Sequence, residues 1–301
     1  MSRRRLYLER AQEFFYFEYD FVAYALGSSI LVGVVCGLVG TFLVLRGLAL
    51  LGDAAGHATL PGVAGAFLLV GHQNPLALLA GALVGGGVGA LTVGAISRGP
   101  RVRSDAAIGI VLSVFFGAGI VMLAYIQGME TGRQAGLEDF LFGNAAAVTP
   151  SQFWLLIAVG ALLCAVVAWV FRPLSILVFD EDYARSLGIE TRRLEMLLLG
   201  ALSVAVVVSI QAVGVILVAA MLIIPPSTAR YLTPRLSGVV MWSMGLGALS
   251  GALGAMISYV FEGVATGPAM VLVATLWFIL ALIWGPQRGL WSRRRRQGGQ
   301  R

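Results

Sequence analysis

From Phe21 to Leu45 the chain carries no charged side chain. An α-helix of that length can cross the roughly 30 Å hydrocarbon core of a bilayer. Comparable apolar runs recur as far as residue 285, parted by short segments rich in arginine, glycine and proline. Within lipid every backbone N–H and C=O must find its partner inside the protein, so apolar runs of this length admit helices. The composition agrees: 58% of residues are hydrophobic and 12% charged, far from the usage of an ordinary soluble domain. We expect an all-α polytopic membrane protein of about eight to nine transmembrane helices.

The apolar spans fall at about 21–45, 46–70, 75–96, a fourth ending near 127, 151–171, 237–260 and 267–285. The stretch 194–229 is too long for one span and slightly short for two. Gln211 and Gly214 near its middle, and Pro225 and Pro226 beyond, predict two short or broken helices, one of them a spanning or re-entrant piece. Gly81, Gly85 and Gly89 recur every fourth residue, as do Gly52 and Gly56. Small residues at that spacing let helix backbones approach closely in lipid.

Three segments stand apart. Residues 1–20 mix aromatic side chains with charges of both signs and read as a helix lying in the membrane interface. Their acids, beginning at Glu9, argue against a cleavable signal peptide. Residues 128–150 are amphipathic enough to dip into the membrane surface. Residues 286–301 form a basic tail, leaving 21–285 as the transmembrane domain.

All 21 basic residues are arginine. Without lysine, a phosphate loop of the GxxxxGK[ST] type is impossible, so any energy from a nucleotide must come through another subunit. Two histidines and two cysteines leave no HExxH and no CxxC motif. Cys36 and Cys164 read as buried small hydrophobes, and His72 as a solvated loop residue. The net charge of +6 lies in loops and tails, where it orients the protein in the membrane rather than binding nucleic acid. Arg46, the loop at 98–103, the loop at 172–193, Arg230 with Arg235, and the tail are separated by even numbers of spans if 194–229 counts as two. All then face the cytoplasm, with the N-terminus outside.

Against this background Asp53 and His57 are exceptional. They are ionisable groups inside an apolar segment, where they are costly and need a reason. Four residues apart on a helix, they share one face with Pro61. Counted from Arg46 at about 1.5 Å per residue, they lie roughly 10 to 17 Å deep, near the midplane. A carboxylate with an imidazole suits a divalent first-row ion such as manganese, iron or zinc. The same pair could equally hydrogen-bond locally and hold helices together. Glu262, at the outer end of a later span, is either an interfacial residue or an attractor at an external mouth. Asp180, Glu181, Asp182, Tyr183, Ala184, Arg185, Ser186, Leu187 and Gly188 read as a short surface helix, with acids at its start and glycine at its end.

The run GTFLVLRGLALLGDAAGHATLPGVAGAFLL resembles the membrane permease subunit of the bacterial zinc, manganese and iron ABC importers. Further blocks follow in the same order: SDAAIGIVLSVFFGAGI at 104–120, AGLEDFLFGNAAAV at 135–148, FDEDYARSLGI at 179–189, QAVGVILVAAMLIIPPSTA at 211–229 and ATGPAMVLVATLWF at 265–278. The resemblance implies a multi-pass protein of the bacterial cell membrane that imports a divalent metal ion by alternating access. It implies a homodimer docked on a cytoplasmic ABC ATPase and served by an extracytoplasmic metal-binding protein, with no permanently bound cofactor. Asp53 and His57 would be the metal site, with Glu262 as a further acid, and 180–188 the helix that couples to the ATPase. The blocks at 104–148 look most like manganese-type members, with zinc or iron as alternatives. On residues alone, an ion-coupled secondary transporter or channel working without an ATPase is the competing possibility.

Overall fold

The structure, a computed structural model, describes residues 20–72, 74–97, 102–129, 148–261, 263–287 and 289–291. These form α1 (Asp20–Leu45), α2 (Leu51–Val70), α3 (Pro75–Ser97), α4 (Ser104–Gln127), α5 (Pro150–Trp169), α6 (Phe171–Phe179), α7 (Glu181–Ser186), α8 (Thr191–Val213), α9 (Val215–Leu232), α10 (Leu236–Val260) and α11 (Thr266–Trp284). No strand occurs among the described residues. Seven of these helices, α1, α3, α4, α5, α8, α10 and α11, are long and apolar enough to cross a membrane. α9 contributes a shorter apolar helix, and α2 has 20 residues but is interrupted by Asp53, His57 and Pro61. The protein is polytopic and all-helical, as its apolar runs predict.

Local chemistry explains where the helices stop and start. Asn74 precedes Pro75 at the start of α3, and its side-chain oxygen accepts a hydrogen bond from the Leu76 backbone N–H; proline tolerates the first helical turn because its missing N–H would be unpaired there. Thr149 and Gln152 form a reciprocal capping box ahead of α5, satisfying two N–H groups at the helix start. α2 ends at Gly71, with φ 74°, a left-handed conformation that glycine adopts without steric cost.

Small residues set the helix pairings. On α1, Gly33 and Gly37 face Gly247 and Ser243 of α10, while Gly251 of α10 faces Ser29 of α1. A Cβ on Gly247 would run into the Gly33 carbonyl oxygen. The second tight pair is α2 with α3, where Gly62 meets Gly81 and Gly85, and where Gly85 and Gly89 meet Ala58. Phe42 of α1, Leu202 and Ile210 of α8, and Met221 and Leu222 of α9 are fully buried in the core. Dispersion between closely fitted surfaces, more than exclusion of water, holds such helices together in lipid.

The arginine-bearing connections gather at one end. Leu45, Phe179, Arg230, Pro234 and Gln287 line a common cavity of about 360 Å³. Arg46, Ser97, Ser104, Glu181 and Glu195 line another of about 290 Å³ at that end. The break expected within 194–229 occurs at Gly214, with φ 86°, which separates α8 from α9. Pro225 and Pro226 do not add a break; both lie inside α9. The loop expected at 172–193 begins instead as α6, following α5 after the turn at Val170. The expected interfacial helix within 1–20, most of the amphipathic segment at 128–150, and residues 292–301 of the tail lie outside the described residues.

Candidate functional site

After α1 the chain does not run on as helix. Gly47 takes φ 72°, the Leu48 N–H returns to the Leu43 carbonyl at 2.9 Å, and the Leu51 N–H bonds the Leu48 carbonyl at 3.0 Å. Asp53 therefore falls in the first turn of α2. The ruler from Arg46 that assumes continuous helix overstates its depth, because 46–50 is a turn. The turn nevertheless folds inward. Gly40 of α1 and Gly52 of α2 both lean on Leu222 of α9, so α2 begins about 8 Å inside the end of α1. Ala58, next to His57, meets Gly85 and Gly89 halfway along α3. His57 thus lies level with the middle of α3, with Asp53 one turn nearer the arginine-bearing end.

Nε2 of His57 lies 3.4 Å from Oδ1 of Asp53, with the side chains 15% and 34% exposed. The edge of Phe116 on α4 meets the imidazole at a centroid distance of 4.8 Å. On the same face, Gly119 of α4 gives room to the Pro61 ring, which a Cβ there would crowd. Nδ1 of His57 is buried without a hydrogen-bond partner, which is costly for a polar atom in an apolar setting. Among the described residues no hydrogen bond joins either side chain to another helix.

The separation itself is informative. At 3.4 Å the contact is longer than a good N–H···O bond, which spans 2.7–3.2 Å. One ion bonded to both atoms at about 2.1 Å would see them at an angle of about 110°, within the range that divalent ions accept. The spacing is compatible with two ligands to one ion, and equally with an ordinary i,i+4 ion pair. No cluster of three or more His, Cys, Asp or Glu occurs among the described residues. The two side chains leave this face of α2 partly exposed. Glu262 lies outside the described residues.

At the arginine-bearing end, Asp180 caps α7 by accepting from the Tyr183 N–H at 2.9 Å, and Gly188 closes the segment with φ 75°. Ala184 is buried beneath it, while Tyr183 and Leu187 are more than half exposed, an apolar tip offered away from the bundle. Arg46 reaches into this region from the α1–α2 turn. Its Nη2 donates to Glu181 Oε2 at 3.0 Å and to Glu195 Oε1 at 2.8 Å. Sequence reasoning took Arg46 as a topology signal only. Partners 135 and 149 residues away leave no local pattern by which to find them.

A family model described as the ABC 3 transport family matches residues 18–285. The chain belongs to the ABC 3 transport family. It is 43% identical over 267 residues to a manganese transport system membrane protein of Bacillus subtilis, covering 89% of this chain and 61% of that protein. It is 38% identical to the Listeria innocua protein of the same name, covering 91% and 94%. A zinc transport system membrane protein of Treponema pallidum is also 38% identical, with 89% and 91% covered. Among solved structures, PsaBC from Streptococcus pneumoniae in complex with Fab superposes with a TM-score of 0.80 at 35% identity, covering 92% of this chain and 97% of that one. This family member is a transport component rather than an enzyme, and its apolar helices make it a multi-pass plasma-membrane protein.

Proposed function

We propose that the chain is the permease subunit of an ATP-driven importer of divalent metal ions, with manganese as its first substrate and zinc or iron as the alternatives. Relatives named for manganese, for zinc and, in Yersinia pestis, for chelated iron support that range. The observation that carries the proposal is the ligand-like spacing of Asp53 and His57 on a half-open face within an apolar bundle. Manganese, iron and zinc all accept a carboxylate with an imidazole. Two donors are too few for any of them. A homodimer that brings two such faces together would supply two carboxylates and two imidazoles, with Glu262 a further acid on the external side.

In this mechanism an extracytoplasmic metal-binding protein delivers the ion, and the paired sites replace part of its hydration shell. Residues 180–188 seat in a separate cytoplasmic ATPase through Tyr183 and Leu187. ATP-driven closure of that partner moves the segment and opens the pathway inward. The test is uptake of radiolabelled manganese into proteoliposomes containing the permease with its ATPase, with zinc and iron(II) as competitors. Asp53→Ala should abolish uptake without disrupting assembly. Full transport by that variant would remove the site assignment, and uptake that ignores ATP would favour a secondary transporter.

A further inference from the structure

α7 packs chiefly on α6 and α8 at the arginine-bearing end, whereas α2 packs chiefly on α3 and α4. What lies between α7 and the start of α2 is the cavity bordered by Leu48, Leu51, Glu181 and Glu195. One side chain crosses it. Arg46, only 12% exposed, joins Glu181 on α7 to Glu195 on α8. Arg185 pairs with the other oxygen of Glu181. The result is an alternating row, Arg185–Glu181–Arg46–Glu195, that links α7 through the α1–α2 turn to α8.

From this we infer that Arg46 is a positioning residue for transport, transmitting displacement of the 180–188 segment to the helix that bears Asp53 and His57. The inference rests on the proposed docking of that segment on an ATPase. Three features support it. Arg46 belongs to the short turn between α1 and α2, so its movement is imposed directly on α2. Gly47 beside it is left-handed with open space around its α-carbon, so the turn can change its angle without a side-chain clash. One guanidinium nitrogen, Nη2 of Arg46, donates to both carboxylates at once, so the two acids are coupled directly through a single charged group. A static staple would need the same contacts. It would not need them to join the docking segment to the metal-bearing helix across a cavity that apolar packing leaves unfilled.

The experiment measures manganese ions moved per ATP hydrolysed in proteoliposomes of the permease with its ATPase. Arg46→Gln should still copurify with the ATPase, yet move at least tenfold fewer ions per ATP. Arg46→Lys should recover part of that loss. The double variant Arg46→Gln/Glu181→Gln should be no worse than Arg46→Gln alone, because both remove one link. A wild-type ratio in Arg46→Gln, or losses that multiply in the double variant, would overturn the inference. If Arg46→Gln fails to assemble, Glu181→Gln and Arg46→Lys still report the ratio, and wild-type values in both overturn it equally. Tyr183→Ala/Leu187→Ala separates the two levels. Retention of the ATPase by this variant sinks the docking segment and the inference with it. Loss of the ATPase here, with a normal ratio in Arg46→Gln, sinks the inference alone.

Discussion

Across one turn of α2, Nε2 of His57 faces Oδ1 of Asp53 at 3.4 Å, while the opposite ring nitrogen is buried with no partner. A pair selected to neutralise itself would close to hydrogen-bond distance and satisfy both nitrogens. This pair stops at 3.4 Å and leaves Nδ1 without a partner, and the proposed role as two ligands on one helix accounts for both.

The carboxylate and the imidazole should therefore be separable by affinity. Asp53→Asn keeps shape and loses charge, and is expected to lower uptake by at least a hundredfold. His57→Gln retains a polar donor and should raise the KM for manganese at least tenfold with a smaller change in maximal rate. Uptake kinetics at fixed ATP distinguish the two outcomes.

The α1–α10 seam offers a stability test far from the site. Gly247→Leu places a side chain where the Gly33 carbonyl stands, and backbone cannot retreat as a flexible side chain can. Loss of about 3 kcal/mol or more follows from overpacking of this kind, read as collapse of the monodisperse peak in detergent. Gly87→Ala is the control, since nothing lies within 4 Å of a Cβ there. It should be neutral or slightly stabilising, by up to about 1 kcal/mol, from helix propensity.

Pro61 lies inside α2 and has no N–H to offer the carbonyl of His57, four residues before it. Pro61→Ala restores that donor and closes the missing hydrogen bond next to His57. We expect a melting temperature in detergent higher by several degrees, corresponding to about 1–3 kcal/mol. The KM for manganese should rise several-fold as His57 shifts relative to Asp53. An unchanged KM would show that the missing hydrogen bond at Pro61 plays no part in presenting His57.

Thr149 tests the start of α5. Its hydroxyl and the Gln152 side chain satisfy each other's backbone N–H groups. Thr149→Ala should lower stability by about 1 kcal/mol and leave the ion:ATP ratio unchanged, because α5 packs chiefly on α1 and α8 rather than on α2 or α7.

Much of the fold was legible because its signals are local. A run of apolar residues announces a span wherever it occurs, and the fourfold spacing of Gly81, Gly85 and Gly89 marked a helix contact that the structure places against α2. Gly214 was visible as a break for the same reason. Pro225 and Pro226 misled because proline is also tolerated in membrane helices, where neighbouring groups satisfy the freed carbonyls. The helical character of 171–179 was hidden by its arginine and proline, which read as loop.

The site divides along the same line. Chain order alone put Asp53 and His57 on one face, since i and i+4 coincide on any helix, and it made them conspicuous by their charge in an apolar segment. Only the folded molecule decided that α2 begins after a turn at Leu51, that His57 meets Phe116, and that Arg46 spans Glu181 and Glu195. Helical periodicity is carried by neighbours a few residues apart. The pairing of side chains more than a hundred positions distant depends on how whole helices pack, and no local pattern records it.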